Sequence, residues 1–145
     1  MSLPQLNEHG HLPAGIHDAS LDELTERFGQ SQRRREILKD FHRYLAELQQ
    51  WQVAQAILVD GSFVTDIAEP NDLDLVLVLR DDYDLTQSVS PFEYNLRSRR
   101  RVQRTFGLDL FVVRPSSVDY DRFVSFFSQV RNHPGQIKGV VRVRP

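Results

Sequence analysis

The spacing of hydrophobic residues in the first third of the chain predicts two helices. Ser20 and Glu23 fit a capping box, so a short helix is predicted from Leu21 to Phe28. Ser31 is predicted to cap a second, longer helix. The apolar stripe of that helix repeats at steps of four and three residues, at Ile37, Phe41, Tyr44, Leu48 and Trp51.

Short apolar runs later in the chain predict strands. They are residues 56–59, 73–79 and 108–113, with residues 139–143 as a last edge strand. Residues 73–79 are apolar on both faces, which is typical of a central, buried strand. Further helices are predicted at residues 92–104 and after a cap at Ser116 or Ser117. Helices that alternate with short strands predict an α/β sheet of two or three layers.

The 145 residues are enough for one domain, which we place at residues 20–145. Residues 1–19 carry prolines and glycines without periodicity and are predicted to be an irregular leader. They lack the basic-then-apolar layout of a signal peptide, and no apolar run approaches the about 18 residues of a membrane span. The chain has no cysteine, which excludes disulfides and thiolate metal sites. We therefore expect a soluble, cytoplasmic protein with no membrane partner.

Charge is distributed unevenly, although the formal net charge is only −2. Residues 60–84 hold eight acids and one base, whereas residues 97–145 hold eleven bases and three acids. This asymmetry predicts an acidic site that attracts cations and a basic wall that attracts anions. Two solvated faces of opposite sign are the alternative interpretation.

Carboxylates interrupt two of the predicted strands. Asp74 lies in an otherwise apolar strand, where an unpaired ionised carboxylate is costly. Asp72 lies two residues earlier and so on the same face, and Asp109 interrupts the strand at residues 108–113. If these strands are neighbours, the three carboxylates converge at one end of the sheet and repel one another unless a cation lies among them. A turn cap at Asp72 and an arginine partner for Asp109 are the alternatives.

Ligands that are all oxygen favour Mg²⁺ or Mn²⁺ over Zn²⁺. Two such ions about 4 Å apart stabilise the entering and leaving oxygens of an in-line phosphoryl transfer. Gly61 and Ser62 come just after the strand predicted at residues 56–59. Glycine lets the backbone approach a ligand closely, and Ser62 offers an amide and a hydroxyl to a phosphate.

The order of these residues resembles the nucleotidyltransferase superfamily that includes DNA polymerase beta, in particular its minimal, single-domain prokaryotic members. The family pattern is a Gly-Ser pair, a short spacer, an Asp-x-Asp pair and a third acid on another strand. The matching residues are Gly61, Ser62, Asp72, Asp74 and Asp109. The wider strings at residues 60–65 and 70–74, with 12–17 and 138–141, resemble an uncharacterised family of small nucleotidyltransferase-like proteins. The resemblance therefore covers nearly the whole chain.

The resemblance implies a small mixed sheet with helices packed mainly on one side. It also implies that Asp72 and Asp74 bind two Mg²⁺ or Mn²⁺ ions, and that Asp109 ligates one of them and assists deprotonation of the attacking hydroxyl. The turn at Gly61 and Ser62 would hold a nucleoside triphosphate. The implied reaction moves a nucleoside monophosphate to an acceptor hydroxyl on a protein, an RNA or a small molecule.

The chain has no lysine or arginine between Gly61 and Arg80. Phosphate binding must then depend on metals, backbone amides or a base from elsewhere, and Lys138 is predicted to reach a phosphate. One alternative function is a non-catalytic partner protein of the toxin–antitoxin type. Another is an RNA-binding module that uses the phosphate-binding geometry of arginine on the helix at residues 97–104. Its arginines are Arg97, Arg99, Arg100, Arg101 and Arg104.

Overall fold

The computed structural model describes residues 3–130, 133 and 135–145, so the first two residues of the predicted leader lie outside the described residues. The helices are α1 (Leu21–Phe28), α2 (Gln32–Trp51), α3 (Pro91–Leu96), α4 (Arg99–Phe106) and α5 (Val118–Phe127). The strands are β1 (Ile16–Asp18), β2 (Ala54–Asp60), β3 (Asp74–Leu79), β4 (Asp109–Val113) and β5 (Val140–Val143). A single 3₁₀ turn, Gly61–Val64, follows β2 directly.

The described strands form one mixed sheet in the order β1-β5-β2-β3-β4. β2 is antiparallel to both β3 and β5, whereas β3 with β4 and β1 with β5 are parallel. β3 therefore lies inside the sheet, as its continuous apolar sequence predicts. The predicted fold class, an α+β domain with a small mixed sheet, is confirmed.

The two faces of the sheet are covered unequally. Leu75 and Leu77 of β3 pack into the larger core, to which α1, α2, α3 and α4 contribute. Val76 and Val78 point to the other face, where the smaller core includes Phe127 of α5. Four of the described helices thus lie on one face and one on the other, so the expectation of helices mainly on one side is confirmed. None of the helices in the described ranges is both long and apolar enough to cross a membrane.

The predicted helix caps are present with one difference in detail. The side chains of Ser20, Ser31 and Ser117 each accept a backbone amide of the helix that follows. The capping box is only half formed, because the Glu23 carboxylate accepts the amide of Leu3 at 2.6 Å. Glu23 therefore ties the start of the described chain to α1.

The single helix predicted at residues 92–104 is wrong, because the structure has two helices there. α3 ends at Leu96, and the Ser98 side chain accepts the amide of Arg101 and so begins α4. A serine that caps a new helix also interrupts the preceding one, because its backbone is extended. The five arginines are consequently divided between the junction and α4.

Two predictions about the ends of the sheet are also wrong. β5 is not an edge strand, since it lies between β1 and β2. The irregular leader predicted at residues 1–19 ends in β1, which pairs in parallel with β5, and Leu3 and Leu12 belong to the larger core. A strand of three residues is too short to show a periodicity in sequence.

A buried arginine fixes the loop between the 3₁₀ turn and β3. Arg34, in the first turn of α2, is only 4% exposed, and its guanidinium lies 5.0 Å from the centre of the Phe63 ring. That guanidinium donates to four backbone carbonyls, those of Phe28, Phe63, Thr65 and Ile67. The neighbouring Arg33 donates to the carbonyls of Pro70 and Asn71. The start of α2 therefore positions the chain up to the residue before Asp72.

We expect Arg34→Met to lower the free energy of unfolding by about 3 kcal/mol, because it leaves several buried carbonyls without a donor. Urea unfolding followed by circular dichroism measures this. Arg35→Met, at an exposed position on the same turn, is the matched control and should change stability by no more than about 0.5 kcal/mol. Equal effects of the two substitutions would show that the loop does not depend on Arg34.

Candidate active site

Three acids form a row across the ends of three neighbouring strands. Asp60 of β2 is paired in register with Asp74 of β3, and Asp74 with Asp109 of β4. Residues paired in this way project their side chains to the same face of a sheet. In β3 this is the face of Val76 and Val78, which α5 covers farther along the strand.

Asp72 completes the group from the loop just before β3. Asp72, Asp74 and Asp109 each offer a carboxylate oxygen, and these oxygens lie within 4.8 Å of one another. One divalent ion could contact all three. The predicted convergence of these three carboxylates is thus confirmed, whereas metal binding stays a prediction.

The electrostatics of this group favour a cation. Burial raises the pKa of Asp74 to about 6, and the charges of Asp72 and Asp109 act in the same direction. Lys138 lowers it, but not enough to offset the other causes. A bound divalent ion would reverse this balance, because it favours the ionised form of each nearby acid.

Asp60 is the member of the row that sequence reasoning missed. It is only 1% exposed, and its Oδ2 has no hydrogen-bond partner among the described residues. Burial raises the pKa of Asp60 well above its ordinary value, and the charge of Asp74 adds to this. The available indication was its position, at the last residue of an apolar strand and directly before Gly61. An orphaned buried carboxylate oxygen beside three converging acids fits a site that binds a cation.

Gly61 holds the backbone turn against the acids. Its φ is +78°, and a Cβ built there would overlap Oδ2 of Asp74. The turn closes where the Thr65 hydroxyl donates to the Ser62 carbonyl at 2.6 Å. The Ser62 hydroxyl makes no hydrogen bond with any other described residue, so it is available to a ligand at this edge.

Two basic side chains lie close to the acids in space, although the sequence between Gly61 and Arg80 contains no lysine or arginine. Arg99 donates from Nη2 to Oδ1 of Asp109 at 3.3 Å, and its guanidinium stacks 4.4 Å from the centre of the Phe111 ring. This is the arginine partner that the sequence left as an alternative for Asp109. Lys138 precedes β5 and lies near enough to lower the pKa of both Asp60 and Asp74. The site therefore has cations from two distant parts of the chain.

A known protein family matches nearly the whole chain, including all the residues of this site. Residues 4–144 match a family described as a family of unknown function (DUF6932). The chain belongs to this family. Comparisons with curated proteins and with solved structures found no match. The DUF6932 region includes the four acids, the turn and Lys138, and its description assigns no activity, so a functional argument depends on the geometry.

The site predicts how stability changes with pH in the absence of metal. The folded protein keeps a proton on Asp74 up to about pH 6, whereas the unfolded chain releases it near pH 4. The stability that this proton confers is therefore lost as pH rises through about 4 to 7. Asp74→Asn should remove about 1–2 kcal/mol of that fall, an amount reduced by the partial exposure of Asp74.

Urea unfolding across this pH range in EDTA provides the measurement. Asp81→Asn, at an exposed position outside the site, should keep the pH profile of the unchanged protein. A profile for Asp74→Asn that matches the unchanged protein would contradict the unusual environment of Asp74.

Gly61→Ala should displace the Asp74 carboxylate and weaken Mn²⁺ binding at least about tenfold, since the added Cβ overlaps Oδ2. Gly107→Ala is a matched control, because Gly107 has a similar φ of +68° but nothing within 4 Å of an added Cβ. Both variants should lose about 1 kcal/mol of stability through backbone strain. Isothermal titration with MnCl₂ separates them, and a similar Mn²⁺ affinity in both would count against a close contact between the turn and Asp74.

Proposed function

We propose that this protein is a Mg²⁺-dependent nucleotidyltransferase, which moves a nucleoside monophosphate from a nucleoside triphosphate to an acceptor hydroxyl and releases pyrophosphate. The observation that carries the proposal is the convergence of Asp72, Asp74 and Asp109 directly beside the turn at Gly61 and Ser62. The resemblance of these residues to the nucleotidyltransferase pattern supports the same reaction.

The donor set determines which metal fits. Asp72, Asp74 and Asp109 offer only carboxylate oxygens, which suit Mg²⁺ or Mn²⁺. When bound, these ions would neutralise charge on the triphosphate and stabilise the entering and leaving oxygens. The unpartnered oxygen of Asp60 lies beside Asp74, and a bound cation would favour the ionised form of Asp60 and be attracted by its charge.

The residues in and around the acid group divide the work of this reaction between them. The acceptor oxygen bonds to the α-phosphorus as the bond from that phosphorus to the pyrophosphate oxygen breaks. Asp109 lies on an edge strand with its side chain 34% exposed, so an acceptor can reach it, and we assign it to assist removal of the hydroxyl proton. Ser62 offers its amide and hydroxyl to a phosphate, and Arg99 and Lys138 offset the charge of the departing pyrophosphate.

The setting of the reaction is part of the proposal. The chain has no cysteine and so lacks the disulfides that are common in small secreted domains, and we place it in the cytoplasm. Acceptor recognition depends on surfaces outside the acid group, because the acids and the turn contact only the nucleotide and the reacting hydroxyl.

Thermal unfolding with each nucleoside triphosphate, in the presence and absence of Mg²⁺ or Mn²⁺, tests binding. A triphosphate at about a hundred times its Kd should stabilise the protein by about 2.7 kcal/mol, and only when the metal is present. Asp74→Asn and Asp109→Asn should abolish this metal-dependent stabilisation, and they should lower transfer of an α-³²P-labelled nucleotide by about a thousandfold or more. Asp81→Asn should preserve both.

Two outcomes would contradict the proposal. The first is the absence of stabilisation with any pair of triphosphate and metal, which would favour the non-catalytic partner protein instead. The second is metal-dependent transfer that survives both aspartate substitutions, because the acids would then have no part in the reaction.

A further inference from the structure

Three arginines on α4 have no partner among the residues that the structure describes. Arg100, Arg101 and Arg104 are exposed, and their side chains make no hydrogen bond or ion pair with any described residue. The spacing of three and four residues between Arg104 and the other two places them on one side of the helix. Residues 94–108 contain five arginines and no acid, so the sequence supplies no local counter-charge.

This arrangement is unfavourable for the helix itself. Arg99, Arg100 and Arg101 occupy the first turn of α4, where no acid is present and where the helix dipole is positive. Arg100 and Arg104 are also like charges at i and i+4, which repel each other. An anion bound along this side of α4 would remove both unfavourable effects.

Two exposed aromatic rings belong to α3, the helix that precedes these arginines in the chain. Phe92 and Tyr94 of α3 are 70% and 52% exposed. Arg97, at the junction of the two helices, stacks 5.7 Å from the centre of the Tyr94 ring and so links this ring to the start of α4. We call Phe92, Tyr94, Arg100, Arg101 and Arg104 the α3–α4 surface.

We propose that the α3–α4 surface binds single-stranded RNA. Arginines contact phosphates, and exposed aromatic rings stack on bases that are not paired in a duplex. Gln103 lies within one turn of Arg100 and Arg104 on the same helix, and its side chain makes no hydrogen bond with a described residue. Its amide can bond to the 2′-hydroxyl that distinguishes RNA from DNA.

The surface leads to the candidate active site. Arg99, which precedes Arg100, contacts the Asp109 carboxylate on the edge strand. RNA bound along α4 therefore has a path to the acid that we assign to the acceptor hydroxyl. We infer that this RNA is the acceptor, an inference that rests on the proposed function, whereas RNA binding itself does not.

Fluorescence anisotropy with a labelled, unstructured RNA of about 20 nucleotides, in EDTA, measures binding without catalysis. The triple variant Arg100→Gln, Arg101→Gln and Arg104→Gln should bind RNA about a hundredfold more weakly. The slope of log K against the logarithm of the salt concentration should be shallower by about 2 in this variant. Phe92→Ala should weaken binding about tenfold through lost stacking. Gln103→Ala should bring RNA and DNA of the same sequence to equal affinity.

A control with the same change in net charge is available elsewhere on the chain. The triple variant Arg35→Gln, Arg122→Gln and Arg144→Gln alters three exposed arginines and should keep the RNA affinity within about twofold. Equal losses in the two triple variants, no effect of the α4 triple variant, or equal binding of RNA and DNA by the unchanged protein would overturn the proposed surface.

The acceptor role is tested separately from the transfer reaction. Asp74→Asn should retain RNA binding and lose transfer, and the α4 triple variant should retain metal-dependent stabilisation by the triphosphate. Labelling of RNA by the unchanged protein that is lost in the α4 triple variant supports the acceptor role. RNA binding without nucleotide transfer to any acceptor overturns the proposed function, and the acceptor role with it, but leaves the RNA-binding surface in place. Transfer to a protein or small molecule but not to RNA overturns the acceptor role alone.

Discussion

The candidate site depends on the pairing of three strands, which holds carboxylates side by side although they repel one another. Asp60, Asp74 and Asp109 cannot separate without breaking the pairing of β2, β3 and β4, because each belongs to that pairing. The same strands bury apolar side chains on both faces, so the hydrophobic gain compensates for the unfavourable charge. The fold thus keeps together acids that would move apart in the unfolded chain, and the raised pKa values of Asp60 and Asp74 reflect this.

Much of the fold follows from local chemistry that a sequence displays. Ser20, Ser31 and Ser117 begin helices as expected, since a cap depends only on residues within one turn. The convergence of Asp72, Asp74 and Asp109 was also predictable, because the two-residue period of a strand fixes which side chains share a face. The additional requirement was that β3 and β4 be neighbours, and the structure places them side by side.

The remaining features depend on long-range pairing, which local pattern does not reveal. The strand was predicted to end at Val59, one residue before Asp60, and only the pairing of Asp60 with Asp74 shows that Asp60 belongs to the buried sheet. β5 was predicted at an edge of the sheet, yet it lies between β1 and β2, and Arg142 of β5 donates from Nε to Oδ1 of Asp18 in β1 at 2.6 Å. One helix was predicted across Ser98, whereas in the structure the side chain of Ser98 caps a second helix.

The position of β5 has a consequence for the order in which the protein is made. β5 inserts between β1 and β2, although residues 140–143 are translated more than a hundred positions after β1. A nascent chain that has emerged only as far as α5 therefore lacks the strand that joins the two parts of its sheet, and it exposes the backbone edges of β1 and β2. Lys138, which lies just before β5, comes close to the acids only at that late stage. A nascent chain at this stage should accordingly be prone to capture by chaperones, and insertion of the four-residue strand β5 joins the two parts of the sheet.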